Sequence, residues 1–432
     1  MHADTGVLTP WQQELLDEAR REYPSRIALA VTRPDLYADT DRFPRLARLV
    51  NGAAVVESSL TTELIGDLLN LALETSLTVG AGSGFREYEE FRQSTLALID
   101  ILDRRGAPVS VHLLSAARFE ALLANGDRTR RDLIARAVAA SRTADERIRA
   151  LLTQSRARTD VSDYRGAQKA LAECAELLED EATAEWRPEY QHSLGLTYYY
   201  SDPAQATHHF EESVRLGRPL LDRLGTSQPV ASSLHFLGRA AAERGEFDHA
   251  LRLYVEGEAA SDDYLSGHGF YHQRMAEVLI DHGSTEEAEF HLRHSQETFD
   301  QVGQQSSGMA LLFGAWSRFY VRTGQLGRAD KALAQGIEKS RREKGPRVEL
   351  VLLAQRLHLR LRQRRLAGLP LLMGRAAWLY LREELVRDPL QAVRQAIMVA
   401  RLSRQRLRSS NSSERVLVCP CGEDHRPGTG DG

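Results

Sequence analysis

The six residues Gly245-Glu246-Phe247-Asp248-His249-Ala250 have looser copies at Gly283 to Ala288 and at Gly324 to Ala329. In each copy the Gly leads the Ala by the same interval, and an apolar stretch with helical spacing lies on either side. A repeat near forty residues, made of two helices and a turn, cannot bury its apolar face alone. It buries that face by stacking on its neighbours, which specifies a solenoid rather than a closed enzyme fold.

The clearest unit shows why each residue type is needed. One helix carries Leu237, Gly238 and Ala241, the turn is Arg244 to Phe247, and the second helix carries Ala250, Tyr254 and Gly257. Small residues at Gly238, Ala250 and Gly257 let antiparallel helices approach. Phe247 and Tyr254 fill the space between one pair and the next. Gly245 ends the first helix in a backbone conformation that a side chain resists.

This pattern resembles the tetratricopeptide repeat (TPR) family. The next unit has Met275, Ala276, Gly283, Ala288, Leu292 and Ser295, and another has Trp316, Ser317, Tyr320, Gly324, Leu326, Ala329, Leu333 and Gly336. Upstream, Leu194, Gly195, Tyr198, Ala206, Phe210 and Ser213 fit with a turn one residue shorter, and Ala167, Leu171 and Cys174 form a weaker copy. The second-helix alanines (Ala167, Ala206, Ala250, Ala288, Ala329) are separated by 39, 44, 38 and 41 residues. The usual TPR period is about 34, so this array is similar to the extended arrays of bacterial regulators and scaffolds. The resemblance implies an all-α, right-handed superhelical solenoid of TPR-like helix-turn-helix repeats.

Four segments are expected. Residues 1–126 are mostly helical, either degenerate repeats or a small separate domain such as a diverged helix-turn-helix. Helical periodicity marks Thr9 to Arg21, Ser59 to Thr75, Phe85 to Arg104 and Leu113 to Leu123, with β-branched runs at Ile27 to Thr32 and Ala53 to Val56. Residues 127–340 hold the repeats. Residues 341–408 form basic helices (Val348 to Leu366, Pro370 to Val386, Leu390 to Arg408) that cap the array. Residues 409–432 are a Ser-, Gly- and Pro-rich tail of disordered composition.

Composition sets the bounds on function. The 432 residues, 42% of them hydrophobic, carry a net charge of -4, which gives no global drive toward nucleic acid or membrane. The three cysteines make no disulfide framework, and Met1 to Trp11 has no signal-peptide pattern, so a cytoplasmic protein is expected. The span from Lys339 to Arg408 holds 18 Lys and Arg against five acids. Its arginines (Arg360, Arg362, Arg364, Arg365, Arg401, Arg404, Arg406, Arg408) either hold nucleic acid, pair with the acidic body, or solvate a capping face. Exposed apolar residues such as Leu371, Met373 and Leu379 either cap the array or form a homodimer seam.

In the TPR register the first helices of each pair face a concave groove. The residues placed there are His192, Tyr199, Tyr200, Ser232, His235, Arg239, Gln273, Glu277, Arg318 and Arg322. Tyrosine gives flat contact area at low entropy cost and arginine gives bidentate carboxylate recognition, a mixture suited to a peptide or partner helix. TPR receptors for C-terminal carboxylates carry a Lys/Asn/Arg clamp, and peptide-pheromone receptors line the groove with Asn. The asparagines here are Asn51, Asn70, Asn125 and Asn411, none in the groove, so neither ligand class carries over.

Other motifs are weaker. Cys419-Pro420-Cys421, with His425, offers three zinc ligands, but structural zinc sites want four and usually a wider cysteine gap. No cofactor is expected, and the alternatives are zinc here, with Asp424 or another residue as fourth ligand, or redox modification of the tail. Gly80 to Gly84 lacks the dinucleotide fingerprint and reads as a loop. The pairs His208-His209 and His291-His294 read as surface histidines, and Cys174 as packing. No nucleophile elbow, His-Glu-x-x-His helix or P-loop is present, so no catalytic residue is expected. The function these features imply is a non-catalytic interaction adaptor or regulatory protein. The alternative is a transcriptional regulator contacting DNA through its N-terminal region or basic helices.

Overall fold

The computed structural model describes residues 61–70 (except 64 and 68), 85–122, 127–221 (except 162), 228–261, 265–301, 307–342, 346–381 (except 366) and 419–420. The readings on Thr9 to Arg21, the two β-branched runs, Gly80 to Gly84, Leu390 to Arg408, Cys421 and His425 lie outside the described residues. Among the described residues the chain is all-α. Fifteen helices follow residues 61–70 in sequence: α1 (Phe85–Arg104), α2 (Ser110–Leu122), α3 (Asp127–Ala140), α4 (Ala144–Asp160), α5 (Tyr164–Leu177), α6 (Arg187–Tyr198), α7 (Pro203–Gly217), α8 (Gln228–Arg244), α9 (Phe247–Ala259), α10 (Leu265–His282), α11 (Thr285–Gln301), α12 (Ser307–Arg322), α13 (Leu326–Arg342), α14 (Pro346–Arg362) and α15 (Leu369–Tyr380). None is long and apolar enough to cross a membrane.

The chain divides into two compact units, residues 1–158 with 166–184 and 300–306, and residues 159–165 with 185–299 and 307–432. In the first, α1 to α3 close around Phe91, Leu98, Leu102, Leu113, Phe119, Leu133 and Ile134. Phe91 meets Phe119 edge to face at 5.3 Å. Arg92 reaches the buried Glu120 carboxylate at 3.3 Å. The helix expected over Phe85 to Arg104 is found with those bounds.

In the second unit consecutive helices pack side by side, and every second helix also touches the next of its kind: α6 with α8, α8 with α10, α10 with α12, α12 with α14. These form one row, called here the A face. The connecting turns follow from local chemistry. At the α8 end Gly245 has φ 84°, Glu246 N–H donates to Ala241 O at 2.9 Å and Gly245 N–H to Ala242 O at 3.1 Å. At the α12 end Gly324 has φ 77°, with Gln325 N–H donating to Tyr320 O at 2.7 Å. Both are Schellman ends, where only glycine is unstrained. The third copy differs. Gly283 N–H makes an ordinary helical bond to Leu279 O at 2.8 Å, and the Ser284 hydroxyl caps α11 by accepting from Glu287 N–H at 3.0 Å.

The recurring small residues work within and between pairs. A Cβ on Gly195 would overlap the Phe210 ring, and one on Gly238 would overlap the Tyr254 ring. Tyr254 therefore fills space inside its own helix pair rather than between pairs. Gly257 is the residue that admits the next pair, through Tyr271. Phe247 does bridge pairs as expected, stacking on His282 at 3.6 Å between centroids.

Three other expectations are corrected. Leu379 is buried, whereas Leu371 is 81% exposed and Met373 is exposed too. His291 is a core residue with 1% exposure, not a surface histidine, because it faces His272 across α10 and α11. Cys419, expected in an unstructured tail, packs in the core: its Sγ lies 3.7 Å from Met275 Sδ, and its N–H donates to Glu287 Oε2 at 3.2 Å. Cys174 is buried as expected.

Candidate functional site

A cavity of about 310 Å³ opens on the A face. It is walled by Arg239, Glu243 and Arg244 of α8, Tyr254 of α9, Arg274, Glu277 and Asp281 of α10, and Arg318 of α12, with Phe247 and His282 at one side. The polar groups share the A face because they recur at helical spacing. His235, Arg239 and Glu243 step by four residues along α8. Arg274, Glu277 and Asp281 step by three and four along α10.

Charge is distributed unevenly among them. Glu277 accepts from Arg274 at 2.8 Å and lies 3.8 Å from Arg318, which also pairs with Asp281. Arg244 turns to Glu246 at 2.8 Å. Arg239 has only Glu243, at 4.0 Å, and makes no hydrogen bond among the described residues. Its guanidinium instead lies 5.2 Å from the Tyr199 ring centroid and 5.8 Å from that of Phe236. Burial pushes the Tyr199 hydroxyl up to about 12, so it is a neutral donor. Burial, then the charges of Arg274 and Arg239, push His235 well below the usual imidazole range, so it is neutral at pH 7.

The structure brings together some of the residues placed in the groove from sequence and separates others. Arg239, Glu277 and Arg318 line the cavity. Tyr199 and Tyr200 lie in the turn just after α6 rather than on it, packed edge to face at 5.0 Å. Tyr199 is 8% exposed. His235 and Ser232 are half-buried on α8, with the His235 ring 5.9 Å from that of Tyr271. Two are core residues: His192, with Nδ1 2.9 Å from Ser233 Oγ, and Gln273, 1% exposed. Arg322 is exposed and off the cavity wall. Glu243, Arg274, Asp281 and Tyr254 were missed as site residues. The signal for the first three was their three- and four-residue spacing from Arg239 and Glu277.

Part of the basic segment is engaged internally, while Arg362, Arg364 and Arg365 are exposed. Arg356 and Arg360 both hold Asp330, at 2.8 and 3.1 Å, and their hydrogen bonds draw its carboxyl well below the usual range. Arg341 and Arg375 both hold Glu349, at 2.6 and 2.9 Å. Among the described residues no group of His, Cys, Asp and Glu has the geometry to hold a metal ion.

No family model matches the chain, and no curated protein does. Among solved structures, a Rap protein complexed with competence and sporulation factor superposes with a TM-score of 0.57, over 86% of this chain and 98% of its own, at 8% identity. A STAND protein with a tetratricopeptide repeat sensor from Pyrococcus horikoshii gives 0.49 at 14% identity, over 90% of this chain; this chain spans 56% of its length. Aspartyl phosphate phosphatase F from Bacillus subtilis gives 0.48 at 10% identity, over 90% of this chain and 97% of its own. At such identities the likeness is one of fold. The chain has the fold of a TPR-like helical-repeat protein.

Proposed function

We propose that this protein is a non-catalytic adaptor or regulatory protein, acting in the cytoplasm, that receives a peptide or helix of a protein partner on the A face of its second unit. The observation that carries this reading is the cavity between α8, α10 and α12, where arginines, carboxylates and aromatic rings meet without the nucleophile–base geometry of a catalytic site. Support comes from the Rap protein of like fold, described in complex with competence and sporulation factor. The pairing of Arg341, Arg356, Arg360 and Arg375 with Asp330 and Glu349 leaves fewer charges for a phosphate backbone, so a nucleic-acid role has less behind it.

The test is purification of the full chain from its native cells beside an Arg239→Glu, Tyr200→Ala variant, with mass spectrometry of what accompanies each. A protein held by wild type and lost from the variant is the expected result. Nucleic acid retained by both, released steeply by salt, would overturn the adaptor reading in favour of the arginine-rich helices.

A further inference from the structure

In and beside the A-face cavity stand hydrogen-bond donors that no other described residue satisfies. Among the described residues the Arg239 guanidinium has no hydrogen-bond acceptor, and the carboxylate it pairs with, Glu243, stands at 4.0 Å on the same helix. The order along α8, Arg before Glu, is the weaker orientation for such a pair. Arg274 Nε is buried without a partner, although its terminal nitrogen holds Glu277. Tyr199 Oη is likewise buried without a partner, and its ring carries Arg239. Arg239, whose side chain keeps 29% exposure, is the donor that an incoming acceptor can reach. Arg239 and Arg274 line the cavity and can only donate, so the complement is an acceptor-only group.

Charge and size narrow the class. Around the cavity Arg239, Arg244, Arg274 and Arg318 meet Glu243, Glu277 and Asp281, with Glu246 on Arg244. Charges so nearly balanced suit a single negative charge at the weakly paired Arg239 and penalise a dianionic phosphate. A volume of about 310 Å³ lies at the small end for ligand pockets, enough for one acidic side chain and not for a folded peptide. The cavity also sits in the middle of the A row, with α6 before it and α14 after it. A segment running along that row passes the cavity with chain on both sides, and so presents a side chain there rather than a terminus.

We propose that this cavity is a side-chain carboxylate subsite, in which Arg239 and Arg274 together clasp one Asp or Glu of the docked peptide while the Tyr199 ring positions Arg239. This rests on the peptide-binding reading above and names the residue class that the peptide must carry. It differs from recognition of a chain terminus, which would depend on the free C-terminal carboxylate.

The experiment is a synthetic array of random ten-residue peptides probed with the full-length protein. Each bound sequence is resynthesised with every Asp and Glu replaced singly by Asn or Gln, and also as the C-terminal amide. The expected result is one acidic position whose replacement weakens binding by about tenfold or more, the worth of a charge-assisted bond, with amidation without effect. That dependence should vanish in Arg239→Gln and Arg274→Gln and stay unchanged in Arg293→Gln, a surface change on α11. Circular dichroism establishes that each variant is folded. An Arg239→Lys variant, which keeps the charge and loses the planar fork, should retain part of the discrimination. Peptides bound with no acidic requirement, loss on amidation alone, or a requirement unaltered in both arginine variants would overturn the subsite while leaving peptide binding intact. No bound peptide at all would overturn the adaptor reading together with it.

Discussion

At the scale of single residues, Tyr199 separates stability from recognition. Its ring is wedged among Tyr200 at 5.0 Å, Phe236 at 5.1 Å and Phe210 at 6.4 Å, and supports Arg239, whereas its hydroxyl is buried with no acceptor. Removing that oxygen keeps the packing and removes a desolvated polar group. Tyr199→Phe is therefore expected to fall within about 1 kcal/mol of wild type, on the stabilising side. Tyr199→Ala, which empties the aromatic cluster, should cost roughly 3–5 kcal/mol, as for other large aromatics. Urea unfolding of both variants checks this; a Phe variant much less stable than wild type would mean that the hydroxyl has a partner in the folded protein.

At the scale of elements, the turns explain what could be read from the sequence. Gly245 and Gly324 are legible because a left-handed helix end admits little else, and that requirement is local. Their replacement by Ala should cost about 1–2 kcal/mol each, the price of a side chain in that conformation, measurable as lowered denaturant midpoints. The site was less legible because its residues come from four helices spread along the sequence. Periodicity put Arg239, Glu277 and Arg318 on one face, but whether a polar residue ends in the groove or under it depends on a rotation of a few tens of degrees. Gln273 beside Arg274 shows that margin, one core and one cavity. The buried histidines were illegible for the same reason. His272 of α10 lies 2.7 Å from Glu258 of α9 and 2.7 Å, Nδ1 to Nδ1, from His291 of α11. His268 reaches the same carboxylate at 3.4 Å, and the His294 ring is 4.2 Å from that of His272. Burial pushes His272 down to about 4 against the opposing pull of Glu258. A histidine depressed from 6.5 in the folded chain takes up protons on unfolding, so stability falls as pH drops from about 6.5 toward 4. By pH 5 that contribution is on the order of 2 kcal/mol. Glu258 is held below the usual carboxylate range by His268 and His272 against its burial. Its contribution is lost at still lower pH. Unfolding free energies at pH 7.5 and 5 should differ less in His272→Asn than in wild type, though His235 keeps part of the slope in the same direction. Equal slopes would show that His272 carries none of it.

At the scale of the molecule, the second unit is a row of helix pairs in which each pair leans on the next and on little else. Stability in such an array is set by each pair and its nearest interfaces, so damage should stay local. Gly238→Ala is a suitable probe. It forces a Cβ into the Tyr254 ring between α8 and α9, an overpacking worth about 1–3 kcal/mol. Tyr254 borders Tyr271 of α10, with ring centroids 6.4 Å apart, and α8 contacts α7, so amide exchange should quicken across α7 to α10. The α14–α15 end is anchored separately by Leu352, Leu353, Leu359 and Leu379 and by the Glu349 and Asp330 ion pairs. Its exchange should be unchanged. Hydrogen-exchange mass spectrometry of the variant reads this directly, and uniform acceleration from α6 to α15 would show that the unit opens as one cooperative body. The distinction bears on how binding is felt. If openings are local, a peptide seated at Arg239 and Arg274 should slow exchange most in α8 and α10, and the ends of the array would report occupancy only through the pairs between.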